Sequence, residues 1–164
     1  MLKKVCALVV AIILMWDAVA CMGGVSGEPL YKGVSVAQFL GKPRSDVVKA
    51  FGSKLSYDDF FEGAHCYGYN ENEILFFFDI FSDETLSVVV TTPGALELGG
   101  VKLHMDREEL VDAFGLPEEE EAYYNEMEEE QDYIYTYQGR NYLLRFTMHE
   151  LEEKTSNIRI LPHQ

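Results

Sequence analysis

The chain has 164 residues, of which 28 are Asp or Glu and 13 are Lys or Arg, giving a net charge of −15 at neutral pH. Nucleic acid and anionic lipid head groups are bound through clusters of lysine and arginine, so this balance excludes both as natural partners. It suits another protein with a basic surface or divalent cations, and the length suits one domain behind a short leader.

Lys3 and Lys4 precede the apolar run Val5 to Trp16. A bilayer-spanning helix needs about 20 apolar residues, whereas the apolar centre of an export signal needs about 7–15 followed by small residues. Ala18, Val19 and Ala20 are those small residues, so residues 1–20 read as a signal peptide. Cys21 follows directly and resembles the lipidated first residue of a mature bacterial lipoprotein, with Ala18 where such sequences usually carry Leu. Residues 21–32 then read as lipidated cysteine and tether, anchored in the cell envelope. Ala18-Val19-Ala20 equally satisfies ordinary secretory cleavage, in which case a bridge from Cys21 to Cys66 is open.

Residues 33–92 and 100–164 read as two copies of one unit, joined at 93–99. Leu40 to Gly52 overlays Leu103 to Gly115 without a gap. Leu40, Arg44, Val48, Ala50, Phe51 and Gly52 are repeated as Leu103, Arg107, Val111, Ala113, Phe114 and Gly115. Random pairing gives roughly one match over such a length. Each segment reads as a short amphipathic helix. Pro43 opens the first, while Asp106 and Glu109 form a capping box on the second. Val47, Val48 and Phe51, like Leu110, Val111 and Phe114, face a core, and a glycine ends each helix.

Three strand-like segments follow each helix. They are His65 to Tyr69, Glu73 to Asp79 and Thr85 to Thr91, then Asp132 to Tyr137, Asn141 to Thr147 and Ser156 to Leu161. Short turns between them require antiparallel pairing. The expected fold is therefore α+β: two tandem helix-plus-three-strand repeats forming an antiparallel sheet with helices on one face.

The segment His104 to Pro117 resembles the helix signature G-x-(S/T)-R-E-E-(V/L)-x-x-x-(F/L)-G-x-P of a family of exported bacterial proteins. It departs from that signature at His104 and Asp106. The family includes tandem-repeat beta-lactamase inhibitor proteins and small outer-membrane-assembly lipoproteins. The resemblance implies the repeat fold and a binding role, and no inhibitory contact residue matches a position here.

For function, Tyr67, Tyr69, Tyr133, Tyr135 and Tyr137 alternate along two strands, and tyrosine is favoured at interfaces. They read either as an exposed partner-binding face or as rings turned toward the helices. The Glu-rich stretch from Glu118 to Glu130 reads as a solvated loop or helix face, since it lacks a calcium-loop pattern. His65 beside Cys66 cannot pair side chain to side chain along one strand, and His104 with His149-Glu150 has no zinc spacing. No metal site, cofactor or catalytic group is expected. The reading is a non-catalytic binding module, inhibitor-like or an envelope-assembly accessory; the alternative is a small exported hydrolase or ligand-binding protein with a pocket between the repeats.

Overall fold

A computed structural model describes residues 24–163 except 62, 100, 127 and 128. The signal segment and Cys21 lie outside the described residues.

A small antiparallel sheet is built from β1 (Leu30–Tyr31), β2 (Val34–Ser35) and β7 (Leu96–Glu97), in the order β2-β1-β7. The main sheet takes β3 (Tyr57–Phe61), β4 (Ala64–Tyr69), β5 (Ile74–Phe78) and β6 (Thr85–Val90), then β8 (Glu119–Asn125), β9 (Glu130–Gln138), β10 (Tyr142–His149) and β11 (Lys154–Pro162). Its order is β3-β4-β5-β6-β11-β10-β9-β8 and every pairing is antiparallel. Two four-stranded meanders thus meet at β6 and β11, where Ile158, Arg159 and Ile160 pair with Val90, Val89 and Val88.

This corrects the expectation of two helix-plus-three-strand repeats in an α+β fold. The protein is mostly β, its main sheet is one continuous eight-stranded layer, and α1 (Arg44–Phe51) and α2 (Arg107–Phe114) are its two α-helices among the described residues. The overlooked strands of the main sheet, β3 and β8, are its two edges. An edge strand pairs on one side only, so it tolerates the polar sequence that suggests a loop. Asp58 and Asp59 stand in β3, and Glu119, Glu120 and Glu121 in β8. These charges also discourage edge-to-edge pairing with another chain.

Both helices cover the same face. Asp106 caps α2, its carboxylate accepting from the Glu109 N–H at 2.9 Å while the Glu109 carboxylate accepts from the Asp106 N–H at 2.9 Å. Lys154 from β11 donates to both carboxylates, at 2.9 and 3.2 Å. Pro43 opens α1 without a side-chain cap bond. Gly52 and Gly115 end the helices at φ 88° and 80°, a backbone that side chains disfavour.

Val47, Leu110 and Phe114 are buried beneath the helices and Phe51 is half-buried. They meet Ile74, Phe76 and Phe78 from the first meander and Leu144, Phe146, Ile158 and Ile160 from the second. The aromatic packing is parallel in the two halves: Phe51 lies 5.5 Å from Tyr69 and 5.3 Å from Phe76, while Phe114 lies 5.3 Å from Tyr137 and 6.0 Å from Phe146.

The segment expected to be tether is part of this core from Val25 onward. The Val25 N–H donates to the Gln138 carbonyl at 2.9 Å, and the Tyr142 hydroxyl donates to the Gly27 carbonyl at 3.0 Å. Tyr31, fully buried, donates to Glu73 at 2.7 Å. Residues 25–36 therefore strap both halves on the helix side, because paired backbone and a buried ring outweigh the freedom of a linker.

Candidate functional site

Strand alternation sends the five tyrosines toward the helices. Tyr69, Tyr135 and Tyr137 are buried, at 3%, 4% and 1% exposure, and Tyr67 and Tyr133 are half-buried against the same core. Burial pushes the hydroxyls of Tyr69 and Tyr137 up to about 12. They do not form an exposed recognition surface; the strand pattern placed them on one face correctly, but that is the covered face. The repeated arginines explain two of them. Arg44 donates to the Tyr67 hydroxyl at 3.1 Å and pairs with Asp83, and Arg107 pairs with Glu120 at 2.9 Å beside Tyr135.

His65 is also on the helix side. Its Nδ1 lies 2.7 Å from the Arg44 guanidinium and its Nε2 lies 2.7 Å from Asp58, with Phe60 stacked on the ring at 4.8 Å. Since Arg44 can only donate, Nδ1 accepts and Nε2 donates to Asp58. Cys66 points to the opposite face and is buried there.

That opposite face carries no helix among the described residues. On the first meander it is apolar: Ala64, Cys66, Phe77 and Val89 cluster with Tyr57 and Leu75, all from strands. On the second it is polar. Asp132 and His149 stand directly opposite each other on β9 and β10, Tyr123 faces Asp132 from β8, and Asn125 faces Glu130. Arg145 and Arg159 are cross-strand partners on β10 and β11. Tyr123, Asn125, Asp132, His149 and the two arginines, together with Thr147, Ile134 and Asn157, line a depression of about 210 Å³.

Asp132 is the centre of this group. Only 1% of it is exposed, yet its carboxylate receives His149 Nδ1 at 2.6 Å and Asn125 Nδ2 at 3.1 Å. Burial pushes its pKa up, but hydrogen bonds from His149, Tyr123 and Asn125 outweigh burial and hold the carboxyl below its ordinary value. Glu130 Oε1 lies 3.6 Å from His149 Nδ1. At the other end of the depression, Arg159 lies over the Phe77 ring at 5.2 Å, joining the polar half to the apolar one. The Arg145 Nε is buried without a hydrogen-bond partner among the described residues.

Sequence reasoning missed this assembly because its members come from different strands. Asp132 and His149 are brought together by cross-strand register, which no short spacing motif encodes. Alternation of polar residues at Glu130, Asp132 and at Arg145, Thr147, His149 was the available signal. A larger groove of about 580 Å³ is lined by Gly24–Glu28, Glu118 and the β9–β10 turn, and among the described residues no histidine or cysteine lines it. His65 and His149 lie on opposite faces of the sheet, so they do not share a cleft between the halves.

No protein-family model matches the chain and no curated protein does. Solved structures are similar in fold. An extracellular protein containing an SCP domain from Bacillus anthracis aligns at 9% identity with a TM-score of 0.53, over 77% of this chain and 45% of that one. A cysteine-rich secretory protein from Staphylococcus aureus aligns at 12% identity and TM-score 0.52, over 85% and 46%. A DUF4309 family protein from Bacillus subtilis aligns at 18% identity and TM-score 0.51, over 74% and 79%. The chain spans under half the length of the first two. At such identities the likeness is one of fold.

Proposed function

We propose that this chain is an exported, non-catalytic protein-binding module, held at the cell envelope through Cys21, whose recognition surface is the helix-free face of the main sheet. The observation that carries this reading is the distribution of aromatic rings and charge on that face. Phe61 on one edge strand and Tyr123 on the other are 52% and 44% exposed, and both are turned to the open side. Exposed aromatic residues on a rigid sheet offer contact area at low entropic cost. Glu119 and Glu121 share the β8 edge with Tyr123, so the partner expected from charge complementarity is a protein with a basic surface. The charge of the expected mature chain, −16 once Lys3, Lys4 and Asp17 leave a total of −15, favours the same partner. Export is supported by the leader and agrees with neighbours described as extracellular and secretory.

The test has two arms. Capture from an envelope extract by the wild type is expected to fall at least tenfold in Phe61→Glu and to be unchanged in Lys49→Glu, on the helix side; equal capture by all three contradicts the surface. Labelling with a fatty-acid analogue is expected for the wild type and not for Cys21→Ala, and equal labelling of both contradicts the anchor.

A further inference from the structure

We infer that Glu130, Asp132 and His149 form a binding site for a divalent transition ion, of which Zn2+ is the probe. The inference stands on side-chain geometry and does not depend on the partner reading above.

One ligand atom from each of the three residues lies within 4.8 Å of the others. The group is not a patch of surface carboxylates. Asp132 is 1% exposed, the Glu130 side chain 11%, and the imidazole turns its Nδ1 toward both oxygens. A tetrahedral Zn2+ holds N and O ligands about 2.0–2.2 Å away, which sets those ligand atoms about 3.3–3.5 Å apart. The Glu130–His149 separation of 3.6 Å is already close to that, and the Asp132–His149 contact of 2.6 Å opens to it with small side-chain rotations. The ion takes the position that the hydrogen between His149 and Asp132 holds in the empty site, with the imidazole proton carried on Nε2 instead.

Charge and donor type favour the same class of ion. Two carboxylates and a neutral imidazole balance a divalent cation. A ring nitrogen suits zinc and its neighbours, whereas calcium and magnesium seek six or more oxygens. Asn125 donates to the second Asp132 oxygen at 3.1 Å and Tyr123 also bonds that carboxylate, so the buried ligand is oriented before an ion arrives. A water drawn from the depression that Asp132 and His149 line would complete the coordination. Arg145 and Arg159 line the same depression from β10 and β11, with Arg145 four residues from His149 along its strand, a backbone separation of roughly 13 Å.

The experiment is a calorimetric titration of the chelator-stripped chain with Zn2+, repeated with Co2+ to read visible d–d absorption. One ion per chain is expected, with a higher melting temperature when bound. His149→Gln and Glu130→Gln should each weaken binding at least about tenfold, as loss of ligating groups does. The cobalt absorption should vanish in His149→Gln, while His163→Gln binds as the wild type. Circular dichroism of each unloaded variant separates lost binding from lost folding, and Glu130→Gln supplies the result if His149→Gln does not fold. Absence of binding at about 1 mM Zn2+, or full affinity retained in both ligand variants, overturns the inference. Calcium bound more tightly than zinc and indifferent to His149→Gln also overturns it, placing the affinity on the surface glutamates.

Discussion

The two meanders present equivalent backbone positions on both faces of the sheet but treat the faces differently. Under the helices the side chains agree: Phe51 with Phe114, Tyr67 with Tyr135, Tyr69 with Tyr137, Phe76 with Phe146, Arg44 with Arg107. On the open face, Ala64, Leu75 and Phe77 of the first half stand where Asp132, Arg145 and Thr147 stand in the second. A helix packed at native density constrains the volumes beneath it, so the covered positions admit few solutions. Where no helix packs, the chemistry is set by something else, and the second half has taken up charge.

Substitutions that break or sharpen this comparison are ordered by their expected effect. Phe114→Ala removes a buried ring touching Tyr137 and Phe146 and should cost about 3–5 kcal/mol. Phe51→Ala should cost less, since its ring is half-buried, and equal shifts in denaturant midpoint would mean that the halves share their core evenly. Asp106→Ala removes the cap of α2 and should cost about 0.5–2 kcal/mol, while Pro43→Ala removes no cap bond and should cost well under that.

The same cap should make stability acid-sensitive. The Glu109 backbone N–H and then Lys154 hold the Asp106 carboxyl below its ordinary 3.8, and the Asp106 N–H and Lys154 hold Glu109 below 4.5. Groups depressed in the folded state stabilise it above their unfolded values and lose that contribution as pH falls through the folded ones. Melting temperature should therefore drop as pH falls from about 5 toward 3, more steeply in the wild type than in Asp106→Ala; parallel curves would remove the cap from the explanation. The smallest effect is expected from Tyr137→Phe. The hydroxyl of Tyr137 is buried with no hydrogen-bond partner among the described residues, so its removal should be neutral or stabilising by up to about 1 kcal/mol.

Much of the covered side was legible in the sequence because its signals are local. Asp106 with Glu109, Pro43, Gly52 and Gly115 mark helix ends within a few residues of one another, and apolar spacing gives their buried faces. The edge strands were not legible, because Tyr57–Phe61 and Glu119–Asn125 carry charges that one-sided pairing permits and that local propensity counts against. The tyrosine pattern gave a shared face without saying which one, since alternation is blind to where a helix will dock. Glu130, Asp132 and His149 were hidden because a cluster across paired strands depends on register.

The claim that the open face is the working surface is tested most directly by photo-crosslinking in the native envelope. Probes at Phe61 and Glu121 on the open side are compared with probes at Lys49 and Asp112 on the exposed sides of α1 and α2. The expected result is a discrete adduct with another protein from positions 61 and 121 and none from 49 and 112. Adducts from the helix positions alone, or from none of the four, would contradict the account.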